Sequence, residues 1–256
     1  MMEQAVTKKK ISGTPSLRFA IRAPIAFCQG CQHPFLIRII SEVVEKLDIE
    51  DKTIILPGVG CHAMLGGHID LDSFMPTAGH GRSPDVATGI KRILGDKAVT
   101  INIQGDGDAM AIGTEPIIQA AARGERITVI MLNNQVYGTT GGQLAPTTVF
   151  GLKTTTTPEG RKPENGYPIR TAELLARLDG VVYSARGSMT GMANYNRTKK
   201  YVINAVKKQM DDKGFSFVEI LSACPTCWRL SPKQCVEYIE EVLTRHFPLG
   251  EIKNVE

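Results

Sequence analysis

Two runs decide the fold. The first is Ala98-Val99-Thr100-Ile101-Asn102-Ile103-Gln104-Gly105-Asp106-Gly107-Asp108, and the second is Ile127-Thr128-Val129-Ile130-Met131-Leu132-Asn133-Asn134-Gln135-Val136-Tyr137-Gly138. Each is an apolar, β-branched run that stops abruptly in small and polar residues, as a strand buried on both faces does where it opens into a loop. The interval Ala109 to Arg123 is of helix length, so the whole reads as one βαβ unit. A right-handed crossover brings the carboxyl ends of both parallel strands out side by side, at the edge where open α/β sheets bind ligands. Asp106 and Asn134, 28 positions apart, then reach one object.

Two hard oxygen donors with a backbone carbonyl from the adjoining loop suit Mg²⁺, whose octahedron is completed by water and phosphate oxygens. Gly105 and Gly107 let the main chain approach a diphosphate, and the helix start aims free N–H groups at it. Gly-Asp-Gly and Asn-Asn are each ordinary turn sequences; their order around strand, helix and strand carries the reading of a metal-diphosphate cradle. No Gly-x-Gly-x-x-Gly follows the first strand, which makes a dinucleotide site the weaker alternative.

Outward from this unit, Thr53 to Leu56, Val181 to Tyr183 and Phe215 to Leu221 read as further buried strands. Helices are expected from Pro34 to Leu47, Ser83 to Leu94, Thr171 to Leu178 and Tyr201 to Met210. Ile- and Val-rich strands without polar alternation, separated by helices, predict an α/β, doubly wound, mostly parallel sheet covered on both faces. Residues 1–24 have no sustained period and are expected to form an N-terminal arm; residues 25–256 are expected to form the binding domain. Residues 138–170, aperiodic and rich in Gly, Thr and Pro, are expected to act as a lid.

Composition excludes several classes. Apolar residues at 42% and charged residues at 22% are those of a globular chain. A net charge of +4 spread along the sequence gives no nucleic-acid footprint, and no apolar run is long enough to insert in a membrane. The expected location is the cytoplasm, where six cysteines are expected as thiols and not as three disulfides.

Cys28 and Cys31 form a Cys-x-x-Cys ahead of the first helix, Cys61 follows the first strand and Cys224 the last. The topology sends Cys61 and Cys224 to the edge that carries Asp106 and Asn134. Four such thiolates hold either Zn²⁺ or a [4Fe–4S] cluster, and spacing alone leaves both open. Cys227 makes a second Cys-x-x-Cys with Cys224 and competes as a ligand, whereas Cys235, on an amphipathic C-terminal helix, reads as a buried spare.

The Gly-Asp-Gly to Asn-Asn pattern resembles the thiamine diphosphate signature, which implies Mg²⁺ held by Asp106, Asn134 and the Val136 carbonyl. More closely, Phe27 to Pro34 (FCQGCQHP), Gly58 to Cys61 (GVGC), His80-Gly81-Arg82, Gly105 to Asp108 (GDGD), Asn133 to Gln143 (NNQVYGTTGGQ) and Cys224-Pro225-Thr226 resemble, in order over residues 25–230, the β subunit of 2-oxoacid:ferredoxin oxidoreductases. That resemblance implies a [4Fe–4S] cluster on Cys28, Cys31, Cys61 and Cys224. It also implies a cofactor pocket including Val59, Gly60, His62, His80, Gly81, Gly107, Asp108, Gly138 and Thr139. The implied reaction is oxidative decarboxylation of a 2-oxoacid, 2-oxoglutarate or branched-chain, to acyl-coenzyme A, with electrons leaving through the cluster to ferredoxin. Partner subunits are implied as well, because a 256-residue chain is expected to be filled by the diphosphate-binding domain and to rely on another for the aminopyrimidine. His80 and His62 are the expected polar contacts to cofactor or substrate, and Ala63-Met64-Leu65 hints at an aliphatic substrate. Gln29 and Gln32 stand where the family usually has Pro and Gly, and Cys227 where Asn is common. The rival readings are a non-redox thiamine-dependent decarboxylase and a zinc-stapled, non-catalytic module.

Overall fold

The computed structural model describes residues 26–73 and 78–256; the arm expected over residues 1–24 lies outside them. The strands are β1 (Thr53–Pro57), β2 (Asp72–Ser73), β3 (Val99–Gly105), β4 (Thr128–Asn133), β5 (Val136–Tyr137), β6 (Gln143–Leu144), β7 (Val181–Ser188), β8 (Phe215–Leu221) and β9 (Gly250–Asn254). The helices are α1 (His33–Leu47), α2 (Ser83–Leu94), α3 (Thr114–Ala122), α4 (Thr171–Ala176), α5 (Met192–Met210), α6 (Pro225–Trp228), α7 (Pro232–Tyr238) and α8 (Thr244–His246).

Seven strands form one sheet in the order β2-β1-β3-β4-β8-β7-β9. All neighbours are parallel except β7 and β9, which run antiparallel. Side chains alternate between two apolar layers, as the period of two requires. Ile130 and Leu132 of β4 join the layer of α1 and α5, while Val129 and Met131 join that of α3 and α4. Each of these four is fully buried, and each such burial contributes about 1.5–3 kcal/mol. The strand order has one consequence for chemistry. It sets the carboxyl ends of β1, β3, β4 and β8 next to one another, and the residues that follow them are Gly58 to Cys61, Asp106, Asn134 and Ser222 to Cys224.

Several elements depart from expectation. The helix after β3 does not wait for Ala109: residues 106 and 107 are already helical, and a π-turn, Asp108–Ile112, precedes α3. Such a wide turn commonly sits at a functional site. The last long helix starts at Met192, nine residues before Tyr201. Its first turns are too polar to show an apolar stripe, yet Thr198 is buried and its hydroxyl donates to the Ser188 carbonyl at 2.7 Å. Residues 138–170, expected as a lid, form a packed loop whose first residues line the cavity at the carboxyl ends of β1, β3 and β4. The hairpin of β5 and β6 opens it, and the buried Arg161 guanidinium then donates to the carbonyls of Ala145 (3.3 Å), Pro146 (3.1 Å), Thr148 and Gly166 (2.9 Å). A planar fork of five donors organises such a coil without leaving any periodicity in the sequence. Among the described residues no helix is long and apolar enough to cross a membrane.

Candidate functional site

At the carboxyl ends of β1, β3 and β4 a cavity is lined by Val59, Gly60, Cys61, His62, His80, Asp106, Gly107, Asp108, Asn134, Val136, Gly138 and Thr139, joined by Gly105, His33, Tyr137 and Thr140. Every cradle residue singled out from the sequence is there except Gly81, which lies behind the wall and donates its N–H to Asp108 Oδ1 at 2.8 Å. Glycine is required at two of these places. Gly60 has φ 151° and a Cβ there would stand 2.7 Å from the His62 ring; Gly81 has φ 71° and a Cβ would meet Gly113 at 2.5 Å. At Gly60 the main chain thus runs bare along the cavity.

Asp106 is 1% exposed and accepts from the Thr147 hydroxyl. Burial pushes its carboxyl up to about 7, against that hydroxyl and two main-chain N–H groups. A divalent cation bound beside it would hold such an acid ionised. Asn134 faces it from β4, its Oδ1 accepting the Val136 N–H at 3.3 Å. Residue 135 between them is a buried glutamine at φ 67°, a conformation that costs a non-glycine side chain energy unless its surroundings enforce it. Asn133 does so: its Oδ1 accepts from both the Gln135 N–H (3.2 Å) and Gln135 Nε2 (2.6 Å). Asn133 in turn donates to Glu219 Oε1 at 2.6 Å, and Glu219 pairs with Arg186 at 2.9 Å, all fully buried. Trp228 Nε1 ties down the Asn134 carbonyl at 3.0 Å. The donor set at Asp106, Asn134 and Val136 therefore fits a diphosphate-bound Mg²⁺.

Asp108 does something the sequence did not announce. Its carboxylate accepts from the N–H groups of Val59 (3.3 Å) and Gly81 (2.8 Å), from Gln104 Nε2 (3.0 Å) and from the His80 ring, and lies 3.5 Å from His62 Nε2. Burial pushes this carboxyl up, but His62, the Gly81 N–H and Gln104 outweigh it and hold it below the ordinary carboxylate value. One residue so clamps the loops after β1 and before α2 to the start of the β3 helix. His80 remains 37% exposed at its side chain and open to the cavity, whereas His62 is buried beneath it.

A second cavity adjoins the first. It is lined by Cys28, Cys31, Cys61, Cys224 and Cys227 together with Phe27, His33, Met64, Asn134, Gly138 and Pro225. All six cysteines are free, and Cys235 is buried in a separate apolar cluster with Trp228 and Phe247. A Cβ on Gly138 would stand 3.5 Å from Cys61 Sγ, 3.8 Å from Cys224 Sγ and 3.6 Å from Asn134 Nδ2, so this one glycine marks where cradle and thiols meet. Among the described residues no three His, Cys, Asp or Glu side chains stand at the spacing of a single bound ion; the thiols ring a space. Burial, and then the charges of Cys61 and Cys28, push the Cys31 thiol up to about 11 against the His33 N–H. Its hydrogen bond to Cys224 holds Cys227 at about 7 and pushes Cys224 upward. Thiols such as Cys31 and Cys224, held protonated by burial and by their sulfur neighbours, fit a cationic metal centre, which would bind them as thiolates. Gln32, one of the departures noted above, accepts from the Ala223 N–H at 3.0 Å and ties the Cys-x-x-Cys loop to the Cys224 loop.

Ala63, Met64 and Leu65 do not line the cradle. Leu65 is in the core and Met64 faces the thiols, so their apolar character says nothing of a substrate. Sequence reading missed Thr147, Gln135, Trp228 and His33 as site residues. His33 carried a signal in its place two residues after the Cys-x-x-Cys run.

Residues 58–220 match the family described as thiamine pyrophosphate enzyme, C-terminal TPP binding domain, which makes this sheet edge part of a thiamine-diphosphate-binding domain. The chain is 38% identical, over 97% of its length, to the ketoisovalerate oxidoreductase subunit VorA of Methanothermobacter thermautotrophicus, of which it covers 53%. It is 34% identical, over 87% of its length, to the 2-oxoglutarate synthase subunit KorB of Archaeoglobus fulgidus, of which it covers 78%. The chain thus spans about half the length of the first relative. Its fold is shared with the solved 2-oxoglutarate:ferredoxin oxidoreductase of Magnetococcus marinus, at a TM-score of 0.74 and 22% identity over 93% of this chain and 84% of that one. The chain belongs to the thiamine-diphosphate-binding β-subunit family of the 2-oxoacid:ferredoxin oxidoreductases.

Proposed function

We propose that the protein is the cofactor-binding subunit of a cytoplasmic enzyme that oxidatively decarboxylates a 2-oxoacid to acyl-coenzyme A and CO₂ and delivers the electrons to ferredoxin. The observation that carries this reading is the shared wall of the two cavities, in which Cys61, Asn134, Gly138 and His33 border both. Asp106, Asn134 and the Val136 carbonyl would hold Mg²⁺ against the diphosphate. Cys28, Cys31, Cys61 and Cys224 would hold a [4Fe–4S] cluster. Bound there, thiamine diphosphate supplies a carbanionic carbon and an electron sink for the 2-oxoacid.

The chain's own residues bind, orient and exclude water. Gly60 and Gly107 would admit a diphosphate to bare main chain, Asp108 fixes the loops that carry His80 and Val59, and the His80 ring, open to the cavity, would be free to contact cofactor or substrate. Thr139 lies beside Cys61, with its hydroxyl 3.0 Å from the sulfur. A partner subunit would cover the open side of the cradle and hold the aminopyrimidine. The relatives' names point to a branched-chain 2-oxoacid or 2-oxoglutarate as substrate. The test is a substrate panel on the assembled complex with coenzyme A and a viologen acceptor, after anaerobic purification. Viologen reduction that requires a 2-oxoacid, coenzyme A and a brown, iron-containing preparation supports the reading. Decarboxylation without electron transfer identifies the non-redox alternative, and zinc in place of iron without thiamine diphosphate binding identifies the zinc-stapled module.

A further inference from the structure

His33 has a place that neither the cradle nor the four thiols accounts for. It sits at the start of α1, is 2% exposed, and borders both cavities. Its ring Nδ1 lies 3.3 Å from Cys31 Sγ, and its main-chain N–H is directed at the same sulfur. His33 shares the lining of the cradle cavity with His62, which packs against Gly60 and Gly105. Of the four residues common to both cavities, His33 alone brings a ring nitrogen to a sulfur.

We propose that His33 sets the reduction potential of the metal centre in the thiol cavity by donating its Nδ1–H to the Cys31 sulfur. The inference rests on reading that cavity as a redox centre. A metal-bound thiolate has no proton to give, so the only hydrogen bond open to this pair is from the ring to sulfur. A donor to a ligand sulfur stabilises the reduced, more negative state of the centre and raises its potential. His33 is buried, and a hydrogen bond in such surroundings is electrostatically stronger than one in water; a ring of similar size at this position keeps the space filled while removing the donor. The main-chain N–H stays whatever side chain occupies position 33, so substitutions isolate the ring. His33 is in this sense a positioning and tuning residue, not a ligand.

The test uses the assembled complex, purified without oxygen. His33→Phe keeps an aromatic ring and removes the donor; His33→Asn places an amide nitrogen where Nδ1 stands. A potentiometric titration followed by electron paramagnetic resonance is expected to show a more negative midpoint in His33→Phe and recovery of most of that shift in His33→Asn, with iron and sulfide per chain unchanged. An unchanged midpoint in iron-loaded His33→Phe, or an equal shift in both variants, overturns the inference and leaves the proposed function standing. Should either variant fail to assemble, the unmodified complex made with isotopically labelled histidine settles the matter. A ring-nitrogen coupling to the reduced centre is expected, and its absence overturns the proposal. Unmodified protein that carries zinc and no iron overturns the proposed function itself, and this inference with it.

Discussion

Gly138→Ala adds one methyl group where the two cavities touch. Gly138 does not occupy the left-handed region, so alanine adopts its backbone without strain, and the new Cβ would lie 3.5–3.8 Å from Cys61 Sγ, Asn134 Nδ2 and Cys224 Sγ. Those are ordinary van der Waals separations, which the protein without ligands accommodates. Replacing a glycine at a compatible position stabilises by about 0.4–1 kcal/mol through the unfolded chain, and for a chain of this size that raises Tm by roughly 1–4 °C. The same methyl stands in the space that a metal centre on the thiols and a cofactor on the cradle would both border. The expected result is an apo protein that melts at the same temperature or slightly higher, and an assembled complex that retains less iron and less thiamine diphosphate. Calorimetry of the apo form, with iron and thiamine analysis of the complex, measures both. Full loading of both groups, or an apo form clearly less stable than the parent, would refute the reasoning.

Arg186→Met strips the fully buried Glu219 of its ion-pair partner and is expected to cost about 3–5 kcal/mol in urea unfolding; a loss under about 1 kcal/mol contradicts the buried pair. Asn133→Ala frees Gln135 from its enforced backbone and leaves Glu219 short of a donor, costing about 1–3 kcal/mol. Titration calorimetry should show weaker binding of Mg²⁺ and thiamine diphosphate, and unchanged binding would show that Asn133 does not position the cradle. For Glu173, burial pushes the carboxyl up but Arg186 outweighs it and holds it below the ordinary 4.5. Its contribution is therefore complete above pH 4.5 and disappears as the pH falls through the lower folded value. The Tm gap between parent and Glu173→Gln should be constant from neutral pH down to about 4.5 and close below it; a gap that widens in acid has the wrong sign.

The sheet was legible because strands buried on both faces carry unbroken Ile and Val runs, as in β3, β4 and β8, and because strand ends that share an edge follow from the handedness of crossovers. That is why Cys61, Asp106, Asn134 and Cys224, scattered over 164 positions, could be placed at one rim. What stayed hidden is held by polar contacts without a period. Thr147 reaches Asp106 from the packed loop, Arg161 organises that loop through main-chain carbonyls, and Trp228 fixes the Asn134 carbonyl from α6. Asp108 looked like one more residue lining a diphosphate loop, yet most of its bonding capacity goes to other parts of the protein. β9 escaped because an exposed edge strand of five mixed residues has neither the apolar run nor clean alternation.

The proposed function requires that electrons pass from a bound 2-oxoacid to a metal centre on Cys28, Cys31, Cys61 and Cys224. Freeze-quenched electron paramagnetic resonance of the anaerobic assembled complex, mixed with 2-oxoacid and coenzyme A, addresses this directly. A reduced iron-sulfur signal that grows on mixing, and is lost when Cys61→Ser or Cys224→Ser replaces the parent chain, is the predicted result. A complex that turns over 2-oxoacid while no iron signal ever appears, or whose signal survives both substitutions, contradicts it.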